Sequence, residues 1–121
     1  MAHYAFLDEN NVVIEVITGV DETEQIEGLS PESWYENFRG KKCVRTSYNG
    51  SIRKHFASVG MTYDTTFDVF IPEQPFSNWK LDYEKFTWVP PIEKPEDVDG
   101  FVWLWSQANN EWIQKPHVKL D

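Results

Sequence analysis

Three times in the second half of the chain, a large apolar residue is followed seven positions later by an aromatic residue and then by Val or Ile. The pairs are Tyr63 and Phe70, Leu81 and Trp88, and Trp105 and Trp112. A tight turn places residues an odd number apart directly opposite each other in an antiparallel pair, with polar residues in the turn. The spacing therefore predicts three successive β-hairpins, each with an aromatic face.

The beginning of the chain carries a more aliphatic version of this arrangement. Apolar runs at residues 4–7 and 12–17 flank a polar turn at residues 8–11, and Leu7 precedes Ile14 by seven positions. Because the offset is again odd, the pattern predicts a fourth hairpin in which Leu7 lies opposite Ile14.

One stretch carries helix signals, and they place a helix of about two turns at residues 31–39. The signals are an N-cap, a proline and an acid in the first turn, a base in the last turn and a glycine stop, at Ser30, Pro31, Glu32, Arg39 and Gly40. Trp34 and Phe38 lie four positions apart and therefore on one face of the helix. We expect them to form its buried stripe, with Tyr35 beside them.

Residues 42–47 alternate between polar and apolar and are followed by the turn dipeptide Asn49-Gly50, which predicts a further strand. The strand contains Cys43, the one cysteine of the chain. A single cysteine excludes an intrachain disulfide and a thiolate-rich metal site. We therefore expect Cys43 to be a small buried residue of this strand.

Together these elements predict a mainly β fold, of the α+β type with one short helix: an antiparallel sheet built from successive β-hairpins around an aromatic core. We assign residues 1–91 to a β-rich core domain that includes the helix, and residues 92–121 to a Trp-rich C-terminal hairpin. The linker at residues 91–100 is proline-containing, acidic and long for a connection. The last hairpin is therefore a candidate for semi-independent folding.

The charge of the chain is unevenly distributed. Residues 37–63 contain no acid and six of the eleven bases, while the remainder holds all twenty acids. The six bases are Arg39, Lys41, Lys42, Arg45, Arg53 and Lys54. They indicate either a basic face on an acidic body, suited to docking, or solvated strand faces whose charges mix in three dimensions. The net charge of -9 is opposite to that expected of a nucleic-acid-binding protein, so no nucleic acid is predicted as a partner.

Tryptophan is concentrated in the second half of the chain, at Trp79, Trp88, Trp103, Trp105 and Trp112. Because aliphatic residues are few, these side chains are expected to fill the core. The alternative is a stacking platform for sugar rings or bases. In a mixed case, Trp103 and Trp105 dock into a neighbouring protein, since tryptophan anchors dominate interface energetics. Trp103, Trp105 and Trp112 join the six bases as candidate interface residues.

No motif in the chain indicates catalysis. His3, His55 and His117 have no partner at metal-ligand spacing, and neither a Gly-rich phosphate loop nor a nucleophile elbow is present. We therefore predict no enzyme, no cofactor, and no catalytic, cofactor-binding or metal-binding residue. No apolar run reaches eighteen residues and no secretory leader is visible, so a soluble protein without a membrane partner is expected.

Three stretches of the sequence resemble a family of small, mostly uncharacterised virion-associated proteins of tailed bacteriophages, including marine cyanophages and actinobacterial phages. They are residues 1–13 (MAHYAFLDENNVV), residues 46–64 (TSYNGSIRKHFASVGMTYD) and residues 70–91. The family usually has an aromatic residue where this chain has Met61. The resemblance implies a phage setting, and no catalytic or binding residue can be carried over from it.

In that setting we expect a virion accessory structural protein, either a capsid decoration or a tail or fibre component, that acts by protein-protein docking. Its predicted partners are capsid, tail or fibre subunits, with a homo-oligomer as a further possibility, and its predicted location is the virion after synthesis in the host cytoplasm. The alternatives are a tail-fibre assembly chaperone, since such proteins carry short Trp-rich terminal modules, and a Trp-based glycan-binding module.

Overall fold

The computed structural model describes residues 2–117, and over these residues the chain is mainly β with a single short helix. In chain order the elements are β1 (Ala2–Leu7), β2 (Val13–Gly19), α1 (Pro31–Arg39), β3 (Lys42–Thr46), β4 (Thr62–Asp64), β5 (Val69–Ile71), β6 (Lys80–Asp82), β7 (Thr87–Val89), β8 (Phe101–Ser106) and β9 (Glu111–Pro116). Strands β2, β1 and β3 form a three-stranded sheet in that order. The pairs β4-β5, β6-β7 and β8-β9 form three two-stranded sheets. The predicted fold class, with its helix and its successive hairpins, is confirmed.

The chain divides into two compact units. Unit 1 comprises Met1–Glu73 and Tyr83–Thr87, and unit 2 comprises Gln74–Asp82 and Trp88–Asp121. The predicted division into residues 1–91 and 92–121 concerns independent folding, and it stays a prediction. Residues 118–121 of the predicted C-terminal hairpin lie outside the described residues.

Strand β1 is the central strand of the sheet in unit 1 and is buried on both faces. Successive side chains of a strand point to opposite faces, so alternate residues of β1 enter two apolar clusters. The first cluster consists of Ala5, Leu7, Val13, Val44, Ala57, Tyr63 and Phe70. The second consists of Ala2, Tyr4, Phe6 and Cys43. Tyr4, Phe6 and Phe70 are the largest fully buried side chains, so the core contains aromatic residues as predicted. No tryptophan is fully buried in the described residues, so the expectation that the tryptophans fill the core is wrong.

Helix α1 has the predicted caps but buries a different face. Tyr35 contacts the second cluster, with its ring 5.0 Å from that of Tyr4 and 6.4 Å from that of Phe6. The Tyr35 hydroxyl also accepts a hydrogen bond from the backbone N–H of Val20 (3.1 Å), which fixes this orientation. Phe38 is 70% exposed, so the expectation that Trp34 and Phe38 form the buried stripe is wrong. Their rings stack on each other instead, 5.1 Å apart.

Two carboxylates of the helix accept hydrogen bonds from backbone N–H groups at the free edge of the sheet. Strand β3 is an edge strand, and unpaired edge N–H groups are a liability unless they are covered. Glu36 accepts a hydrogen bond from the Cys43 N–H (3.1 Å) and Glu32 accepts one from the Arg45 N–H (2.9 Å). The helix thus caps the edge with side-chain oxygens, and Cys43 is buried beneath it as predicted.

The first hairpin departs from the predicted register by one residue. Leu7 lies opposite Val13, not Ile14, because a β-bulge interrupts the pairing after Phe6. The carboxylate of Asp8 accepts the backbone N–H of Val12 (3.0 Å) and tightens the turn, in which Asn11 takes a left-handed backbone (φ 63). The tighter turn moves Val13 into the core and leaves Ile14 at the surface.

The three aromatic hairpins share one turn geometry. Tyr63 lies opposite Phe70, and Trp105 lies opposite Trp112, as the seven-residue spacing predicts. The last turn residue of each hairpin has a left-handed backbone, at Asp68 (φ 55), Phe86 (φ 54) and Asn110 (φ 53). Asp and Asn tolerate this conformation and Phe does so rarely. The sequence repeat is therefore a repeat of turn conformation as well as of strand pairing.

Candidate functional site

Two of the arginines predicted to form a docking face are engaged within unit 1. The guanidinium of Arg39 forms an ion pair with Glu15 and lies 5.0 Å above the ring of Phe6. Nη1 of Arg45 lies 3.3 Å from the carboxylate of Glu22. The charges of these two arginines are therefore mixed with acidic charges in three dimensions. This is the second of the two alternatives that the charge distribution of the sequence indicated.

Arg53, Tyr63 and Asp68 form a polar cluster on the β4-β5 hairpin. The carboxylate of Asp68 accepts hydrogen bonds from the Tyr63 hydroxyl and from Nε of Arg53 (2.8 Å). These bonds, the one from Tyr63 first, hold the pKa of the Asp68 carboxyl below its ordinary value. Nη1 of Arg53 also donates to the carbonyl oxygen of Arg45 (2.8 Å), so one guanidinium ties the hairpin to β3.

The lysines of the basic segment are less engaged than its arginines. Nζ of Lys42 lies 5.6 Å from the centroid of the Tyr63 ring, a cation-π distance. Lys41 and Lys54 are exposed and form no ion pair within residues 2–117. Docking through the basic segment stays a prediction, and its most available charges are these lysines.

Three of the five tryptophans of unit 2 form a cluster. The Trp79 ring lies 5.8 Å from that of Trp105 and 6.2 Å from that of Trp112, and the last two are 5.3 Å apart. All three rings meet at steep angles, the geometry that aromatic quadrupoles favour. All three are half-buried, and no residue of unit 2 up to residue 117 is fully buried. The tryptophans therefore hold unit 2 together without forming a closed core.

Two indoles of the last hairpin bind the linker that precedes it. Nε1 of Trp112 donates to the carbonyl oxygen of Ile92 (2.8 Å), and Nε1 of Trp103 donates to that of Glu96 (3.1 Å). The linker residues between these carbonyls are exposed and belong to no strand. The aromatic face of the hairpin thus already binds a segment of irregular, proline-containing backbone through its carbonyl oxygens.

The opposite face of the same hairpin carries three apolar residues together with Lys115, Ser106 and Glu111. Val102 and Leu104 alternate with the tryptophans along β8, and Ile113 lies opposite Leu104. Leu104 is 50% exposed and Val102 is 36% exposed. Two-stranded hairpins usually place polar residues on their free face. We call Val102, Leu104 and Ile113 the outer face of the hairpin.

Two buried polar atoms of unit 2 belong to consecutive residues. They are Oδ1 of Asn78 and Nε1 of Trp79, and neither has a hydrogen-bond partner among residues 2–117. Nδ2 of Asn78 donates to Oδ1 of Asn110 (2.8 Å), which fixes the side chain against the last hairpin. Trp79 also lines a surface cavity of about 500 Å³ together with Val89, Pro90, Glu93, Lys94 and Trp112. The cavity combines apolar walls with one charge of each sign.

Sequence reasoning identified part of this site. The spacing of aromatic residues pointed to the Trp cluster, and Trp112 is both a predicted interface residue and a wall of the cavity. Asn78 was missed, because no sequence signal distinguishes a buried unpaired amide from an ordinary loop asparagine. Within the described residues, no three His, Cys, Asp or Glu side chains are grouped as a metal site. The helix in that part of the chain is neither long nor apolar enough to span a bilayer.

No protein-family model, no curated protein and no solved structure matches the chain.

Proposed function

We propose that this chain is an accessory structural protein of a bacteriophage virion, a capsid decoration or a tail or fibre component, that acts by docking on other virion proteins. The observation that carries the docking role is the outer face of the last hairpin, where Leu104 is half exposed. Apolar residues grouped on one face of an element mark an interaction surface more often than apolar residues scattered singly.

The energetics of unit 2 support the same role. An isolated two-stranded hairpin is marginally stable in water. Burying an apolar face against a partner stabilises both the complex and the hairpin, by about 2.5 kcal/mol for roughly 100 Å² of apolar surface removed from water. A hairpin in which Val102 and Leu104 are exposed and Ile113 is half-buried therefore gains stability when this face docks.

The phage setting rests on the resemblance of residues 1–13, 46–64 and 70–91 to small virion-associated proteins of tailed phages. The resemblance implies a location in the phage particle, but it identifies no partner protein. Capsid, tail and fibre subunits, and further copies of this chain, are the partners proposed.

The experiment that tests the proposal is quantitative mass spectrometry of purified, mature particles of the phage that encodes the chain. A copy number equal to that of the capsid subunit would indicate decoration, and a much lower number would indicate a tail, portal or fibre position. Absence from mature particles, with presence in infected cells, would overturn the proposal in favour of an assembly chaperone.

A matched pair of variants tests the surface itself. Leu104→Asp places a charge on the outer face, whereas Val59→Asp places one at another exposed apolar residue, in unit 1. When each variant complements a phage that lacks the gene, we expect Leu104→Asp to be lost from particles and Val59→Asp to be retained. Equal retention of both would show that the outer face is not the docking surface.

A further inference from the structure

Nε1 of Trp79, a donor without a partner among the described residues, belongs to a side chain that lines the cavity. Asn78 offers a buried acceptor and Trp79 offers a buried donor, at adjacent positions of the chain. Buried polar groups without partners are rare in native proteins, and each costs about 1–3 kcal/mol. A carbonyl oxygen of a bound peptide would satisfy the indole N–H of Trp79, whereas Asn78 does not line the cavity.

The hairpin already shows how such a backbone is bound. Trp112 and Trp103 each donate an indole N–H to a carbonyl oxygen of the proline-containing linker. Trp79 contacts Trp112, and its indole N–H has no acceptor in the part of the chain that the structure describes. Aromatic-lined grooves that bind extended proline-rich segments are a recurring mode of peptide recognition. Of these three indoles, Trp79 is the one that still lacks a carbonyl.

The charged residues around the cavity determine whether a positively or a negatively charged ligand is favoured. Lys94 is paired with Asp97, its Nζ lying 3.2 Å from the carboxylate. Glu93 lines the same cavity and forms no ion pair within the described part of the chain. Residues 91–100 contain four acids and one base, so the surroundings are also acidic. An occupant that carries a positive charge complements this rim.

We propose that the cavity lined by Trp79, Trp112 and Pro90 binds an extended, positively charged peptide segment of a partner protein. A carbonyl oxygen of that segment accepts a hydrogen bond from the indole N–H of Trp79, whose ring turns to bring the buried Nε1 to the cavity. Its apolar side chains occupy the cavity, and a lysine or arginine pairs with Glu93. This inference rests on the proposed docking function and names the chemistry of the partner. The outer face of the hairpin is a separate surface of the same unit.

The test uses the indole N–H resonances of the full chain in a two-dimensional ¹H–¹⁵N NMR spectrum, assigned with single Trp→Phe variants. The probe is the capped hexapeptide Lys-Pro-Val-Lys-Pro-Lys, and the matched probe is Glu-Pro-Val-Glu-Pro-Glu. We expect the basic peptide to shift the Trp79 resonance downfield in a saturable way and to leave that of Trp34 in place. The acidic peptide should bind at least tenfold more weakly.

Variants separate the hydrogen bond from the charge. Trp79→Phe keeps a ring in the wall and removes the donor, and it should weaken the basic peptide about fivefold. Glu93→Gln should weaken it roughly two- to fivefold. Glu111→Gln removes an exposed carboxylate elsewhere in unit 2 and should leave binding unchanged. Equal effects of Glu93→Gln and Glu111→Gln would overturn the assignment of Glu93.

Other outcomes overturn the peptide assignment as a whole. A saturable shift of the Trp79 resonance with maltotriose or chitotriose, and none with the basic peptide, would assign the cavity to a glycan. No shift with any of these probes would remove the cavity as a binding site. Neither result bears on the mass spectrometry of purified particles. If the chain is absent from virions but binds the basic peptide, the proposed virion function is overturned and the peptide site is retained.

Discussion

Trp105 and Trp112 lie directly opposite each other in the β8-β9 hairpin, with their rings 5.3 Å apart at 71°. Each ring also contacts Trp79, which lies outside the hairpin. Cross-strand aromatic pairs are among the strongest contributors to the stability of a hairpin. The stability of unit 2 therefore depends on these three rings, since none of its described residues is fully buried.

The variant Trp112→Ala is expected to unfold the last hairpin while unit 1 stays folded. The substitution removes the cross-strand ring pair and the hydrogen bond to Ile92, which together contribute about 1–3 kcal/mol. Amide hydrogen exchange of the full chain measures both units at once. We expect protection to be lost in β8 and β9 and retained in β1, and a simultaneous loss in all three would contradict semi-independent folding.

The register of the hairpins could be predicted because it depends on local chain geometry. An odd spacing between Tyr63 and Phe70 and a polar turn suffice to define which residues face each other. The predicted register of the first hairpin was wrong because Asp8 binds the N–H of Val12 and shortens the turn. The pattern of apolar residues does not reveal this interaction. The prediction of the buried face of α1 was wrong because Tyr35 packs against Tyr4, a residue that is distant in sequence.

Phe70 and Phe38 provide a direct contrast between a core and a surface aromatic residue. Phe70 is fully buried in the first cluster, whereas Phe38 is mostly exposed on α1. Phe70→Ala should lower the free energy of unfolding of unit 1 by about 3–5 kcal/mol. Phe38→Ala should lower it by less than about 1 kcal/mol, the loss of its stacking on Trp34. Urea denaturation followed by circular dichroism measures both, and a larger effect at Phe38 would contradict the orientation of the helix.

The Asp68 cluster makes part of the stability of unit 1 dependent on pH. Because the folded state lowers the pKa of this carboxyl, the unfolded chain binds its proton more readily, and the contribution to stability is lost as the pH falls through the folded pKa. Asp68→Asn keeps a side chain that tolerates the left-handed backbone. It should cost about 0.5–1 kcal/mol at pH 7, a modest value because the carboxylate is 58% exposed.

The difference between Asp68→Asn and the parent chain should vanish at low pH. As the pH falls below about 4 the unfolded chain takes up the proton first, and below the lowered pKa of the folded carboxyl the parent is protonated in both states, so the two denaturation midpoints should converge. Asp99→Asn changes an exposed acid of the linker and is the control, with little effect at any pH. A cost for Asp68→Asn that does not depend on pH would assign the effect to turn geometry and not to charge.

The candidate site was less predictable than the fold, and the reason is physical. Charge segregation along the sequence suggested one basic face, but Arg39 and Arg45 find acidic partners from distant segments, at Glu15 and Glu22. Tryptophan spacing identified the cluster, because a period of two fixes which rings share a face of a strand. It did not reveal which polar atoms the folded chain leaves unpaired, since that depends on every neighbour.

The thiol of Cys43 is expected to be almost unreactive in the folded chain. Burial, and secondarily the charges of Glu32 and Glu36, raises the pKa of Cys43 from 9.0 to about 12. Because the thiolate is the reactive species, this shift alone slows reaction with Ellman's reagent at pH 8 by about a thousandfold. The double variant Cys43→Ser with Lys41→Cys places a thiol at an exposed neighbouring position and should react at once. Rapid reaction of native Cys43, at the rate seen in guanidinium, would show that α1 does not cover the β3 edge in solution.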